Sequence, residues 1–199
     1  MSASVTMAAH TEAYAQKLAS ATKLLDVKAL EALGEAMKDC WQSGNQIFLC
    51  GNGGSAGNAI HLANDYIYGA GRKAGRGLRA TALSANNAVM TCLANDIGYD
   101  AVFAEQLKVL AEKGDILIVL SGSGNSPNIV KALEQAKVMG LRTFAIVGYS
   151  GGKAKSMAGT VLHTPIDDMQ IAEDMQLVIG HILMQWLCDQ NVKIPSQAA

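Results

Sequence analysis

Between residues 46 and 65 the chain reads Gln-Ile-Phe-Leu-Cys-Gly-Asn-Gly-Gly-Ser-Ala-Gly-Asn-Ala-Ile-His-Leu-Ala-Asn-Asp. A short apolar strand, a glycine-rich turn and the first turns of a helix are predicted there. Gly51, Gly53 and Gly54 let the backbone take positive φ and come close to a ligand. Asn52 and Ser55 add side-chain hydrogen-bonding groups at the same turn. A helix that starts here aims its free N–H groups and the positive end of its dipole into the turn, which makes an anion cradle. His61 and Asp65 follow on that helix, four residues apart and so on one face. An anion cradle followed within about two to three helical turns by a His/carboxylate pair points to an enzyme acting on a phosphorylated metabolite.

A second small, hydroxyl-rich turn lies far along the chain. Ile116 to Leu120 is a continuous apolar run, as in a strand buried on both faces of a parallel sheet. It leads into Ser121-Gly-Ser-Gly-Asn-Ser126, and Pro127 then falls in the first turn of a helix, where its missing N–H costs little. A single serine after a strand is usually a cap or turn residue. Two clusters, each after a buried strand, are harder to explain that way. Ser55, Ser121, Ser123 and Ser126 with nearby backbone N–H groups would supply neutral donors suited to a phosphate on a small polyol. The competing dinucleotide reading rests on Gly51-Asn-Gly53-Gly-Ser-Ala56, a GxGxxA match. It lacks the acidic residue that should hold a ribose, since the second strand ends Leu83-Ser84-Ala85-Asn86.

The elements that must position these turns alternate throughout. Two helices come first, over residues 10–25 and from an Asp26 cap to Gly44; their role is packing or subunit contact. The segment 66–77 is glycine-rich and basic, either a solvated connection or a mobile lid whose cations meet a phosphorylated ligand. A strand at 79–83, a helix over 86–95, the polar turn 95–99 and a helix over 102–112 with Phe103, Leu107 and Leu110 on one stripe follow. After the 127–140 helix come a strand at 142–147, a turn at 148–152, a short helix near 154–158, a strand at 160–164 and a helix over 169–188. Residues 1–9 read as a loose start and 191–199 as a frayed tail. The pattern predicts one α/β domain over 1–199, a helical segment 10–44 and an α/β core 46–188, with a parallel sheet and right-handed crossovers. Ligands bind such sheets beyond the carboxyl ends of the strands at the switch in strand order. The two turns form one pocket if their strands are neighbours.

Composition narrows the classes. Half the residues are hydrophobic but only 5% are aromatic, so the core must be built from aliphatic residues and methionine. The low charged fraction, 17%, hints at surface buried in an oligomer. A net charge of −1 argues against nucleic acid held by bulk electrostatics. Cys40, Cys50, Cys92 and Cys188 lack CxxC spacing and read as free thiols in a reducing cytosol. No stretch has the shape of a signal peptide, and no apolar run reaches membrane-spanning length. A cytoplasmic protein without a nucleotide cofactor is expected.

Cys50-Gly-Asn-Gly-Gly-Ser55, Asn95-Asp96 and Ser121-Gly-Ser-Gly-Asn-Ser126-Pro-Asn together resemble the sugar-isomerase (SIS) domain family, and within it the phosphoheptose isomerases. The resemblance runs from the N-terminal helices to about residue 187. It implies a three-layer fold around a five-stranded parallel flavodoxin-like sheet, and a homotetramer with sites at subunit boundaries. The implied reaction converts sedoheptulose 7-phosphate to D-glycero-D-manno-heptose 7-phosphate through an enediol, a step in lipopolysaccharide precursor synthesis. Carried over, the catalytic groups are Asp65 and His181, with Glu173 as a further candidate. The substrate set is Asn52, Gly53, Ser55, Asn95, Asp96, Ser121, Gly122, Ser123, Ser126 and Asp168. Some family members bind zinc, and the matching ligand set is His61, Asp65, Glu173 and His181.

Two departures stand out. The family commonly has Glu where this chain has Asp65, and a base shortened by one methylene can lose on the order of a hundredfold in rate. Many members have Gln where this chain has Glu173, which adds a charge that favours a divalent cation or lets Glu173 act as the base. Residues 173 and 181 are separated by a rise of about 12 Å on a straight helix, so one ion reaching both needs a late helix start or a second subunit. The other class the resemblance allows is a non-catalytic SIS module that binds a sugar phosphate or a protein partner such as a replication initiator.

Overall fold

The structure, a computed structural model, describes residues 6–190 and 192, with the side chain of Lys73 outside that description. Helix α1 (Met7–Lys23) starts at a Thr6 cap that accepts from the Ala9 N–H at 3.2 Å. It therefore begins three residues before the predicted position 10, and only residues 1–5 of the expected loose start remain, outside the described residues. Helix α2 (Val27–Ser43) starts as expected at Asp26, whose carboxylate accepts from the N–H groups of Lys28 and Ala29. It ends at Gly44 with φ 73°. The tail expected over 191–199 lies outside the described residues, apart from Val192, which packs against the core.

Five strands follow: β1 (Gln46–Cys50), β2 (Arg79–Ala82), β3 (Ile116–Ser121), β4 (Arg142–Val147) and β5 (Thr160–His163). They form one parallel sheet in the order β2-β1-β3-β4-β5, the predicted flavodoxin-like arrangement. Successive strand residues point to opposite faces. Ile47, Leu49, Ile116 and Ile118 pack with Leu33, Met37 and Trp41 of α2 on one side. Phe48, Cys50, Leu117 and Val119 pack on the other side with Phe103 and Leu107 of α6 (Val102–Leu110) and Ile129 and Leu133 of α7 (Pro127–Val138). Both faces are covered, which is why β1 and β3 read as unbroken apolar runs. Leu110 departs from the expected stripe. It is the last residue of α6 and stands 47% exposed.

Two helices set the geometry of the site. Helix α3 (Gly54–Asn64) leaves the turn after β1, and α9 (Met169–Cys188) returns across the same face of the sheet. Their contacts advance together: Gly54 meets Glu173, Asn58 meets Gln176, His61 meets His181. The helices therefore run side by side in the same direction. Gly180 makes the approach possible, because a Cβ there would collide with the Leu62 side chain.

The segment 66–77 is not the loop or lid expected. Helix α3 runs on as a π-helical turn, Asp65–Gly69, and then α4 (Gly71–Ala74). The segment delivers the chain to Arg79, which pairs with Gln46 at the start of β1, so it lies at the edge of the sheet opposite the serine turns. Trp41 Nε1–H donates to the Arg76 carbonyl at 3.0 Å and Leu78 N–H to the Tyr66 carbonyl at 3.0 Å. Those bonds anchor it to the core.

Helix α1 is tied to the start of α9 by polar contacts. Lys17 Nζ donates to Asp168 at 2.8 Å, and the Tyr14 hydroxyl donates to Asp174 at 2.5 Å. The bond to Asp174 pushes the Tyr14 phenol up to about 12. Lys17, and then the Ile171 N–H that Asp168 caps, hold the Asp168 carboxyl below its ordinary value of 3.8. A carboxyl depressed in the folded state contributes stability that is present above the unfolded value and is lost as pH falls through the folded one. Asp168→Asn keeps a good cap but loses the charge. Its melting temperature should fall below wild type at pH 7, with the gap closing as pH drops below 3.8. A gap that stays constant from pH 7 to pH 3 in thermal melts would show that the ion pair contributes nothing.

Candidate active site

The order of the sheet brings the two serine turns together. β1 and β3 are neighbours, and they flank the point where the chain reverses its direction of travel across the sheet. The turns are joined by a reciprocal amide pair. Asn52 Nδ2–H donates to Asn128 Oδ1 at 2.9 Å, and Asn128 Nδ2–H donates back to Asn52 Oδ1 at 2.8 Å. Asn128 is buried, and its Oδ1 also accepts from the Ile129 N–H. The Tyr99 hydroxyl donates to Asn52 Oδ1 at 2.9 Å. Asn52, predicted to bind substrate, therefore has its oxygen occupied and acts first as a clasp. Asn128 and Tyr99 were not singled out as site residues in the sequence. The partner of an amide across a sheet edge leaves no local signal.

The other predicted residues divide by what they touch. Gly53 takes φ 55° at the start of α3, and no side chain caps that helix. Ser55 is buried and accepts from Gln176 Nε2–H at 2.9 Å, leaving its own O–H to donate. Ser121 is buried and accepts from the Gly124 N–H, which closes the second turn. Ser123 is exposed and accepts from Asn125 N–H at 3.3 Å, while the Ser126 hydroxyl does not cap α7 although Ser126 occupies the cap position. Gly122 accepts from the Gly148 N–H, and the sulfur of Met169 lies over its Cα. Asn95 and Asp96 end α5 (Asn87–Asp96), bonded to each other and exposed; the Asn95 amide holds the Asp96 carboxyl low. Asp168 caps α9 and pairs with Lys17, so its carboxylate is already engaged in the fold.

The ionisable groups expected to do chemistry meet on α3 and α9. His61 Nε2 and His181 Nε2 are 2.9 Å apart, and each is 3.4 Å from Asp65 Oδ2. Zinc–nitrogen bonds of about 2.0–2.1 Å imply donors about 3.3 Å apart around a tetrahedral ion. Two imidazoles and one carboxylate at these spacings fit a divalent cation with an open fourth position, and His61, Asp65 and His181 form such a group. Glu173 is not in it. Its carboxylate lies against Gly54, with Oε1 2.5 Å from where a Cβ of that glycine would stand. The two-turn rise between 173 and 181 expected from helix geometry is what separates them. Around Glu173, Asn58 Nδ2–H donates to its backbone carbonyl, but its carboxylate has no hydrogen-bond or ion-pair partner among the described residues. His163 bonds the Tyr149 carbonyl, and all four cysteines are free thiols.

A family model described as the SIS domain matches residues 10–148. The chain belongs to the SIS domain family. A phosphoheptose isomerase of Helicobacter pylori strain P12 is 39% identical over 163 residues, covering 78% of this chain and 84% of that protein. Among solved structures, the phosphoheptose isomerase GmhA from Neisseria gonorrhoeae superposes with TM-score 0.82 at 28% identity, over 92% of this chain and 99% of that one. A phosphoheptose isomerase from Francisella tularensis gives 0.85 at 27% identity, over 94% and 100%. Both serine turns, clasped by Asn52 and Asn128, lie within the matched segment.

The clasp has a measurable consequence. Asn128→Ala strands the Asn52 Nδ2–H, while Tyr99 still donates to Asn52 Oδ1 and the Ile129 N–H still reaches the Ser126 carbonyl; the lost pair should cost about 1–3 kcal/mol. Urea unfolding should show it as a lower midpoint at unchanged slope. Stability equal to wild type would mean the amide pair does not hold the turns.

Proposed function

We propose that this SIS-domain chain is a phosphosugar isomerase, converting sedoheptulose 7-phosphate to D-glycero-D-manno-heptose 7-phosphate. The observation that carries the reading is the placement of a His/Asp/His cluster and a partner-free carboxylate along the seam of α3, which opens at the first serine turn, and α9, whose Met169 reaches Gly122 of the second. Relatives that are phosphoheptose isomerases support the substrate.

The phosphate is held by the N-terminus of α3 and by Ser55, Ser121, Ser123 and Ser126, through neutral donors and backbone dipoles. The sugar chain then extends along the α3/α9 seam. A carboxylate removes a proton from C1 while the C2 carbonyl oxygen gains one, giving the enediol. The proton returns to C2 as the C1 hydroxyl loses its own, giving the aldehyde. Glu173 is the better base, because its carboxylate is free whereas Asp65 faces two imidazoles. With no ion in the cluster, His181 exchanges the oxygen-bound proton, and Asp65 and His61 orient it. The same three side chains would hold a divalent cation, zinc by family resemblance. When bound, the ion would polarise a sugar oxygen as a Lewis acid.

The His61 and His181 side chains stand 48% and 45% exposed, so one subunit leaves the cluster open to solvent. In the tetramer that the family resemblance implies, a neighbouring subunit would cover it. No described helix is long and apolar enough to cross a membrane. A phosphorylated sugar as substrate supports a cytoplasmic location as part of this reading.

Incubation with sedoheptulose 7-phosphate and a divalent metal in heavy water should give the aldose with deuterium at C2. Glu173→Gln should lower kcat by about 10²–10⁴-fold, the usual scale for a lost acid–base group. Substrate binding without product or exchange would instead favour a non-catalytic sugar-phosphate module. Metal binding separates the carboxylates. Cobalt titration followed by absorbance should lose its high-affinity phase in His61→Ala and His181→Ala but keep it in Glu173→Ala. Equal loss in all three would put Glu173 in the metal site.

A further inference from the structure

Among the described residues Tyr149, in the turn after β4, is the one non-glycine with positive φ, at 43°. A left-handed backbone is costly for a residue with a side chain and persists where its surroundings over-determine it. Here they do. The Tyr149 N–H donates to the Ile166 carbonyl at 3.1 Å, and its carbonyl accepts from His163 Nε2 at 2.8 Å. A carbonyl can only accept, so His163 carries its proton on Nε2.

The held backbone sets where the ring goes. Its Cε2 edge packs over Gly122 of the second serine turn, 3.8 Å from the point a Cβ would occupy, beside the Met169 sulfur. Tyr149 also lines a surface depression of about 370 Å³ with Ser150, Pro165, Ile166 and Asp167. Its phenol has no hydrogen-bond partner among the described residues, although the side chain is half-buried. A neutral hydroxyl left free beside a turn of neutral donors matches the rest of the cradle in chemistry.

We propose that Tyr149 is a substrate-binding residue that closes the phosphate end of the pocket. The ring packs on the carbon bearing the ester, and the hydroxyl donates to an ester or sugar oxygen. The strained turn is what keeps the ring over Gly122. This rests on the reading that the serine turns hold a sugar phosphate.

Calorimetry and steady-state kinetics with sedoheptulose 7-phosphate test it. Tyr149→Phe removes only the hydroxyl and should raise Kd and KM about five- to tenfold, the scale of one hydrogen bond, with the loss on KM rather than kcat. Tyr149→Gly removes the ring over Gly122 and should raise both further. Its melting temperature should hold or rise, because glycine takes this φ freely. Wild-type affinity in either variant overturns the proposal. So does a glycine variant whose melting temperature and kcat fall while KM stays. If the wild-type protein binds no sedoheptulose 7-phosphate, the underlying reading of the turns fails. If it binds and the variants match it, only the role of Tyr149 does.

Discussion

The close parallel packing of α3 on α9 is the constraint on which the rest depends. At Gly180 the helices approach to a distance that leaves no room for a methyl group beside Leu62. That approach puts His181 against His61 and Asp65, which come from a part of the chain more than a hundred residues away. It also sets Glu173 beside Gly54 and Gln176 beside Ser55. A wider spacing would separate all three contacts at once. Packing of this kind is specified by shape, and interiors this dense give no slack to recover the geometry elsewhere.

The same pair of helices sorts the ionisable groups into two levels. One carboxylate lies at the mouth, near the anion cradle; the other lies lower, between two imidazoles. The proposed cradle presents neutral groups, hydroxyls and backbone N–H donors. Two cations on its supporting elements are paired: Lys17 with Asp168, Lys131 with Asp100. A phosphate held by fixed dipoles needs no rearrangement of long side chains to be received, and the neighbouring hydroxyls can bond the polyol as well.

Strain and rigidity are placed with equal economy. The two serine turns are locked by the Asn52–Asn128 amide pair with Tyr99 added from a third loop. The Tyr149 turn is locked by His163 and Ile166. Each lock joins segments from different strands. The segment 66–77, rich in glycine and charge, is held at the other edge by Trp41 and Tyr66. Its composition invited the reading of a lid, but its position follows from where β2 must begin.

Much of this was legible in the chain because it is written locally. The apolar runs at 47–50 and 116–120, the Asp26 cap, the Gly44 stop and Pro127 at the head of a helix each declare an element within a few residues. The His61/Asp65 spacing declares a shared face. Strand alternation with helices then leaves few ways to assemble a parallel sheet. What the chain could not declare was any contact whose two halves lie far apart: the Asn128 clasp, the Tyr99 bond, Glu173 on Gly54 rather than with the histidines, and the turn of Tyr149 over Gly122. A side chain's local sequence sets which face of its element it occupies. Only the order of the strands and the separation of α3 and α9 decide what stands opposite.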